Sequence, residues 1–184
     1  KAIILAAGQG RRLMPLTSSM PKCCLPLHGT SILEWQLSQI AQCDIEEVIV
    51  VTGFAYEMVD SVVDKIRGLK VRTLHNPMYA HTDNLGTCWE ARSEMKGPFV
   101  LMNGDTLFDP AVLEKLLASP RAPLTLAINE KDGYDSDDMK VSMNGGRRLR
   151  AVGKTLDPEI VNGESIGLMV FRGRGGDLFC EALN

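Results

Sequence analysis

The sequence predicts a three-layer α/β fold in which helices cover both faces of a mostly parallel sheet. Short apolar runs such as Ala2–Ala7, Glu47–Thr52 and Pro98–Met102 alternate with segments of helical periodicity such as Ile32–Ala41 and Tyr56–Ile66. Nearly continuous apolar runs are typical of strands that are buried on both faces. The alternation predicts right-handed βαβ crossovers, with ligand-binding residues at the carboxyl ends of the strands.

Length and composition favour a single globular domain. The chain has 184 residues, of which 45% are hydrophobic and 23% charged, as in ordinary globular proteins. We expect one domain over residues 1–184 that lacks a C-terminal segment, because the sequence stops just after a helical stretch, Asp177–Leu183.

Charge and cysteine content bear on partners and location. The net charge of −3 gives no electrostatic reason to expect nucleic acid or a membrane as a partner. The first apolar run is too short for a signal-peptide core or a membrane span. Five cysteines without metal-type spacing indicate reduced thiols. We therefore expect a cytoplasmic protein, and the sequence carries no signal for its oligomeric state.

The loop that follows the first apolar run has the composition of a phosphate-binding loop. It contains Gly8, Gly10, Arg12 and Lys22. Glycines let backbone N–H groups approach an anion, because a Cβ would block the approach or the positive φ that it needs. Three prolines, at positions 15, 21 and 26, prevent a continuous helix and stiffen the loop.

Two common phosphate-binding motifs do not fit this loop. A dinucleotide fingerprint needs a third glycine at the position of Leu13, inside a helix that starts at once. A P-loop needs Gly-Lys-Ser/Thr at the end of its glycine run, and that tripeptide does not occur in the sequence. Both motifs are excluded by spacing.

The stretch LAAGQGRRLMPLTSSMPKCCLPLHG closely resembles the N-terminal signature of the sugar-phosphate nucleotidyltransferases. The match to this signature spans some two dozen positions. It consists of the elements Leu-Ala-Ala-Gly-x-Gly, Arg-Leu, Pro-Leu-Thr, Pro-Lys and Leu-Pro. It departs from the usual pattern at Arg11, Cys23 and Cys24. The resemblance implies a Rossmann-like fold of the nucleotide-diphospho-sugar transferase type.

The resemblance also implies roles for the residues of this stretch. Arg12 is expected to contact the triphosphate, and Lys22 the α-phosphate as charge builds there during the reaction. The strand end and the loop are expected to bind the nucleotide through Leu5, Ala6, Ala7, Gly8 and Gly10.

A second candidate nucleotide-binding segment is Asn84–Arg92, read as a loop that enters a helix. Free N–H groups at a helix start can meet base or phosphate oxygens, and Asn84 offers a donor and an acceptor to a base edge. From the residues alone, a helix cap without a ligand is an equal alternative. The family's similar Leu-Gly-Thr segment implies nucleotide binding by Asn84, Gly86 and Thr87.

The apolar run Pro98–Met102 delivers Asn103-Gly104-Asp105 at its carboxyl end, where Gly104 would let a ligand approach. A carboxylate is a ligand that Mg²⁺ prefers, and this one follows a buried strand in a chain that already has a phosphate loop. We therefore predict Asp105 as a magnesium ligand. The family resemblance implies the same role.

The local signals elsewhere are ordinary. Ser31 is expected to cap a helix over Ile32–Ala41, in which Ile32, Trp35, Leu37 and Ile40 recur at near-helical spacing and Trp35 belongs to the core. Asp109-Pro110 opens a helix to Leu117, Leu124–Asn129 is a strand, and Asn144-Gly145-Gly146 is the turn of a hairpin.

Two residues in the last third of the chain are assigned only by resemblance. Lys154 corresponds to a lysine that contacts the acceptor phosphate in related enzymes, and Glu164 is expected to face the same acceptor. Asp135–Val141 together with Gly163–Gly167 looks most like the phosphocholine cytidylyltransferase branch.

The sequence thus predicts a Mg²⁺-dependent nucleotidyltransferase whose partners are a nucleoside triphosphate and a small phosphorylated acceptor. Three functions stay open: a cytidylyltransferase acting on phosphocholine or a similar compound, a sugar-1-phosphate nucleotidyltransferase, and a non-catalytic nucleotide-binding regulatory domain. The family's second set of acidic metal ligands is not found in these residues. His28, His75 and His81 lack a paired nucleophile, so a hydrolase triad is unsupported.

Overall fold

The computed structural model of the chain describes residues 1–183, which fall into two compact units. The larger unit comprises Lys1–Thr125 and the chain from Met169 onward, and the smaller unit comprises Leu126–Leu168.

The strands and helices follow the predicted alternation. The strands are β1 (Ala2–Ala6), β2 (Pro26–Leu27), β3 (Thr30–Ser31), β4 (Glu47–Thr52), β5 (Lys70–His75), β6 (Phe99–Asn103), β7 (Leu124–Asn129), β8 (Lys140–Met143), β9 (Leu149–Gly153) and β10 (Gly163–Phe171). The α-helices are α1 (Ile32–Ile40), α2 (Tyr56–Val63), α3 (Asn84–Glu90), α4 (Pro110–Leu117) and α5 (Gly175–Leu183).

The larger unit is built on four parallel strands in the spatial order β5-β4-β1-β6. Leu5 of β1 lies opposite Val51 on one side and opposite Asn103 on the other. All four strands therefore end at the same edge of the sheet, as the sequence predicted.

Helices cover both faces of these strands. On one face, Ile3, Leu5 and Leu101 belong to a core that includes Cys88 of α3, and Phe179 of α5 packs against it. Alternate strand residues, such as Ile4, Val50 and Met102, point to the other face of the sheet, and they have no exposed surface either. The predicted three-layer arrangement with a mostly parallel sheet is confirmed.

Helix α2 and Trp35 differ from the prediction. Helix α2 ends at Val63 rather than Ile66, because the amides of Lys65 and Ile66 bond to carbonyls three residues back and tighten the final turn. Trp35 is half-buried rather than part of the core, since α1 turns Leu33 and Gln36 inward instead. Its ring packs edge-on against Phe108, with ring centroids 6.0 Å apart.

Helix α1 begins with the predicted cap. The Ser31 hydroxyl accepts a hydrogen bond from Glu34 N at 3.1 Å, and the Glu34 carboxylate accepts one from Ser31 N at 2.7 Å. This capping box satisfies two backbone donors that the helix itself leaves unpaired. The bond from Ser31 N also lowers the pKa of Glu34.

The smaller unit is antiparallel. Strand β8 pairs with β10 through Val141↔Gly163 and with β9 through Val141↔Val152. The predicted hairpin is present, and its turn passes through Gly146 at φ +105° and Arg147 at φ +58°.

None of the helices found over residues 1–183 has the length and apolar character that crossing a membrane requires.

Removing the cap of α1 should destabilise the larger unit measurably. We expect Ser31→Ala to reduce the free energy of unfolding by about 1 kcal/mol, because Glu34 N would lose its acceptor. Urea denaturation measures the change. The matched control is Ser38→Ala on an exposed position of the same helix, where an effect within about 0.5 kcal/mol is expected; equal effects of the two substitutions would contradict the capping role.

Candidate functional site

A cleft of about 250 Å³ opens where β1 and β6 end. It lies wholly within the larger unit. Twelve residues line it: Leu5, Ala6, Gly8, Gly10, Arg12, Leu13, Lys22, Cys23, Asn84, Asn103, Gly104 and Asp105. The cleft therefore brings together eight of the predicted site residues, from three separate segments of the chain.

The first loop owes its shape to Gly10 and Thr17. Gly10 adopts the left-handed conformation at φ +75°, where a side chain is strained, and its carbonyl accepts from Leu13 N at 2.9 Å. The same carbonyl accepts from the hydroxyl of Thr17, which is fully buried, at 2.9 Å. Thr17 thus anchors the glycine turn to the interior, so the loop enters the cleft with a fixed backbone.

Lys22 and Asp105 form an ion pair between Lys22 Nζ and Asp105 Oδ2. The two residues are 83 positions apart in the sequence, and their side chains are 32% and 38% exposed. Both groups therefore lie at the cleft surface, where a ligand can reach them. The basic loop after β1 and the acidic end of β6 therefore meet at one cleft.

Gly104 is required by backbone packing. A Cβ at this position would lie 2.8 Å from the carbonyl oxygen of Leu5 and 3.0 Å from the Cβ of Ala6. The N–H of Gly104 donates to the same Leu5 carbonyl at 2.8 Å. From its sequence context this glycine is expected to let a ligand approach, which stays a prediction. In the structure the glycine lets the two strand ends approach each other.

The residue before α3 caps the start of this helix. The Asp83 carboxylate accepts from Leu85 N at 2.9 Å and from Gly86 N at 3.2 Å, so these two donors already have a partner. The cap that the residues alone left open as an equal alternative is therefore present, and Asp83 provides it.

The three residues predicted on α3 lie in different surroundings. Asn84 lines the cleft, and its amide nitrogen lies 3.3 Å from the side-chain oxygen of Asn103. Gly86 is not among the cleft residues, and a Cβ there would lie 2.4 Å from the Cβ of Thr82. Thr87 is 4% exposed, donates to Asp83 O at 3.0 Å and accepts from Asn76 at 3.2 Å. Nucleotide binding by Gly86 and Thr87 stays a prediction.

Ala7 also lies outside the cleft lining. It is 4% exposed, and its carbonyl accepts from Phe54 N at 3.0 Å. Its backbone therefore joins the end of β1 to the segment after β4.

Sequence reasoning missed Asn103 and Cys23. Asn103 occupies the last position of β6, directly before the Gly-Asp pair, which could have marked it as a cleft residue. Cys23 follows Lys22, is 1% exposed and lines the cleft. A hydrogen bond with the Cys24 thiol, together with burial, raises the pKa of Cys23 well above its usual value. The thiol therefore stays neutral beside Asp105.

The remaining predicted residues, Lys154 and Glu164, belong to the smaller unit. Lys154 Nζ lies 3.5 Å from the carboxylate of Asp137, and its side chain is 48% exposed. Glu164 accepts from the amide of Asn129 at 3.0 Å and pairs with Lys131 Nζ at 3.0 Å.

Lys131 is held between two carboxylates of the smaller unit. Its ammonium lies 2.7 Å from Asp138 as well as 3.0 Å from Glu164. The hydrogen bond to Asp138 first, and the one to Glu164 next, raise the pKa of Lys131. In return, the bond from Lys131 lowers the pKa of Asp138 to about 2. The two carboxylates therefore hold the Lys131 ammonium between them.

The chain is similar in sequence to two cytidine-nucleotide enzymes, and it covers a different share of each. The chain is 36% identical over 128 residues to the CMP-5'-(3-aminopropyl)phosphonate synthase of Streptomyces rubellomurinus, covering 69% of the chain but 20% of that protein. It is 31% identical over 159 residues to the choline-phosphate cytidylyltransferase of Streptococcus pneumoniae, covering 83% of the chain and 68% of that protein. The chain thus spans about a fifth of the first relative and about two thirds of the second.

The fold and family follow from two further comparisons. The structure of the inositol-1-phosphate CTP transferase from T. maritima superposes with a TM-score of 0.82 at 20% identity, covering 96% of this chain and 72% of that one. This likeness confirms the predicted nucleotide-diphospho-sugar transferase type of fold. The model of the MobA-like NTP transferase domain matches residues 2–136. The matched residues include the glycine loop, Lys22 and Asp105, which line one cleft. The chain therefore belongs to the family of MobA-like NTP transferase domains.

Proposed function

We propose that this chain carries out Mg²⁺-dependent nucleotidyl transfer from a nucleoside triphosphate, with CTP favoured, to a small phosphorylated acceptor such as phosphocholine. Pyrophosphate is the second product. The observation that carries the proposal is the cleft in which Arg12 and Lys22, from the first loop, meet Asp105.

The reaction needs no nucleophile from the protein. An anionic oxygen of the acceptor's phosphate attacks the α-phosphorus, forming a new P–O bond. The bond from the α-phosphorus to the oxygen that bridges to the β-phosphorus breaks, and its electron pair leaves with pyrophosphate. Catalysis of this kind consists of positioning and of neutralising charge.

The cleft residues supply that neutralisation. Lys22 is suited to a non-bridging oxygen of the α-phosphate, and Arg12 to the oxygens further along the triphosphate. At an effective dielectric near 20, unlike unit charges about 4 Å apart attract by roughly 4 kcal/mol, so two cations offset much of the repulsion between triphosphate and acceptor. Lys154 is the proposed contact of the acceptor phosphate.

The donor set fits Mg²⁺ held jointly with the nucleotide. Over residues 1–183 no group of three or more His, Cys, Asp or Glu side chains could hold a metal alone. Magnesium is commonly bound through one or two carboxylates plus substrate phosphates, and Asp105 is a half-exposed carboxylate at a phosphate-type loop. When bound by Asp105, the metal would neutralise charge on the triphosphate. Lys22 would then exchange Asp105 for the α-phosphate.

The names of two relatives support the choice of nucleotide and acceptor. Both the phosphonate synthase and the cytidylyltransferase are named for a cytidine nucleotide, and both named acceptors carry an amine or ammonium beside the phosphorus group. These names favour CTP over other triphosphates.

The smaller unit supports a cationic acceptor. Asp138 and Glu164 already hold one ammonium, that of Lys131, and Tyr134 lies beneath it with its ring centroid 5.7 Å from Lys131 Nζ. Carboxylates and an aromatic ring together are the usual surroundings of a bound amine or quaternary ammonium. A sugar 1-phosphate has no positive charge for such a group to bind.

Pyrophosphate release measured over a panel of substrates tests the proposal. CTP, UTP, dTTP, ATP and GTP are each combined with phosphocholine, aminoethylphosphonate and several sugar 1-phosphates. We expect release with CTP and the cationic acceptors. Release with a sugar 1-phosphate only would select NDP-sugar synthesis, and binding of nucleotide without release in any pairing would select a regulatory domain.

Replacement of Lys22 should remove turnover without unfolding the protein. We expect Lys22→Ala to lower kcat by about 10² to 10³, the size typical for losing one charged donor to the transition state. The ion pair with Asp105 is one-third exposed, so its loss should cost at most about 1 kcal/mol of stability.

The matched control for Lys22→Ala is Lys96→Ala, an exposed lysine outside the cleft lining. Its kcat should stay within about twofold of wild type. Wild-type turnover in Lys22→Ala would remove this lysine from the mechanism.

Loss of the Glu164 charge should weaken binding of cationic acceptors selectively. We expect Glu164→Gln to raise the KM for phosphocholine about three- to fivefold, the size of one partly exposed charge pair, with the KM for CTP unchanged. Steady-state kinetics with each substrate varied separately measures this. Glu130→Gln, at an exposed glutamate that pairs with Arg147, is the control. An equal effect of both variants, or a change in the KM for CTP alone, would argue against an acceptor site at Glu164.

A further inference from the structure

Helix α1 carries a buried polar side chain on its apolar face. Gln36 has no exposed surface, and its neighbours on that face are the equally buried Leu33, Leu37 and Ile40. An amide in such a place needs hydrogen-bond partners, because an unsatisfied buried polar group destabilises the fold.

The amide of Gln36 donates two hydrogen bonds across to the end of β6. Its Nε2 lies 2.9 Å from the carbonyl oxygen of Asn103 and 2.8 Å from that of Thr106. Two carbonyl acceptors fix the orientation of the amide, because only its nitrogen carries protons.

The other end of the same amide is left unsatisfied. Within residues 1–183, Gln36 Oε1 is buried and has no hydrogen-bond partner. A methionine or leucine would fill this space without adding an unpaired acceptor of its own. Packing alone therefore does not account for a glutamine here, whereas its two donated bonds do.

The two carbonyls that Gln36 binds flank Gly104 and Asp105. Between them, Gly104 N donates to Leu5 O at 2.8 Å. The short segment that presents Asp105 is thus hydrogen-bonded to both β1 and α1.

Helix α1 is also hydrogen-bonded to, and packed against, the segment that presents Lys22. Ile32 N, at the first position of α1, donates to Leu25 O at 3.1 Å, and the 3-10 turn Lys22–Cys24 packs against α1. Ile32 and Gln36 are about one helical turn apart, or roughly 6 Å along the axis. One rigid turn of α1 therefore connects the lysine segment to the aspartate segment.

We propose that Gln36 is a positioning residue, which sets the distance between Asp105 and Lys22 and so the affinity of Asp105 for the metal of the nucleotide complex. The inference rests on the proposed function, since it concerns the metal site of the same cleft. Gln36 itself contacts neither nucleotide nor metal, and it acts through the backbone of Asn103 and Thr106.

The test compares Mn²⁺ binding in Gln36→Met with that in a matched variant, Leu37→Met. Both place the same flexible apolar side chain at adjacent buried positions of α1, and only the first removes the bonds to the Asp105 segment. Mn²⁺ affinity is measured by electron paramagnetic resonance with a non-hydrolysable CTP analogue present. Asp105→Asn gives the reference for loss of the metal ligand.

We expect Gln36→Met to raise the Kd for Mn²⁺ about tenfold, toward the value for Asp105→Asn, with the Kd of the metal-free analogue within twofold of wild type. Leu37→Met should leave both constants within twofold. A Mn²⁺ Kd unchanged in Gln36→Met, or changed equally in Leu37→Met, would overturn the proposal, as would a wild-type protein that binds no Mn²⁺ with the nucleotide.

A second variant keeps the test decisive if Gln36→Met folds poorly. In Gln36→Glu the new carboxyl has the same shape, and it can donate one hydrogen bond only when it is protonated. Burial raises the pKa of such a carboxyl. The ratio of its Mn²⁺ Kd to that of wild type should therefore rise with pH between 5 and 8, and a ratio independent of pH and close to one would overturn the proposal.

Failure of this inference is distinguishable from failure of the proposed function. Metal binding does not require turnover, so the comparison of variants decides the role of Gln36 even if no acceptor yields pyrophosphate. Conversely, wild-type pyrophosphate release with an unaltered Mn²⁺ Kd in Gln36→Met would leave the proposed function standing and remove Gln36 from it.

Discussion

Parallel pairing of β1 with β6 is the constraint on which the rest of the site depends. The register that sets Leu5 opposite Asn103 makes both strands end at one edge of the sheet. The basic loop leaves from one strand end and the Gly-Asp pair from the other, so two side chains 83 positions apart form an ion pair. A glycine at position 104 makes this possible, because any side chain there would meet the Leu5 carbonyl. A shift of one residue in register would turn the strand side chains to opposite faces and separate the two groups.

Lys22 and Asp105 neutralise each other's charge within the cleft. Lys22 and Asp105 are each suited to an ionic ligand, the first to phosphate oxygens and the second to a divalent cation, and they neutralise one another in the structure. Because both are about one-third exposed, water and salt screen their attraction, and exchanging it for contacts with a charged ligand costs little. The same arrangement recurs in the smaller unit, where Lys131 neutralises Asp138 and Glu164. Each candidate subsite therefore presents paired charges that a ligand of the right sign can replace.

Helix α3 shows why a matching motif does not assign a contact by itself. Asn84, Gly86 and Thr87 were assigned together from resemblance, yet only Asn84 lines the cleft. Thr87 faces Asn76 and Asp83, and the N–H of Gly86 is bonded to the Asp83 carboxylate. The capping aspartate lies directly before the motif, so the local signal for a cap was present beside the signal for a ligand. An N-cap side chain pairs some of the backbone N–H groups at a helix start. Only the N–H groups that the cap does not pair can donate to a ligand.

The sequence by itself determined the alternation of strands and helices, the helix cap at Ser31 and the glycine loop that contains Gly10, because these depend on side chains a few positions apart. It also identified Lys22 and Asp105 as candidate ligand residues, since each follows a buried strand in a parallel α/β pattern. Only the tertiary structure decided that the two meet in an ion pair, that Asn103 and Cys23 share their cleft, that Trp35 stays half outside the core and that Gln36 bonds to the Asp105 segment. These contacts join residues far apart in the chain, and they depend on strand register and helix packing. Sequence periodicity predicts which residues share a face of one helix or strand, but not how close two distant residues come in space.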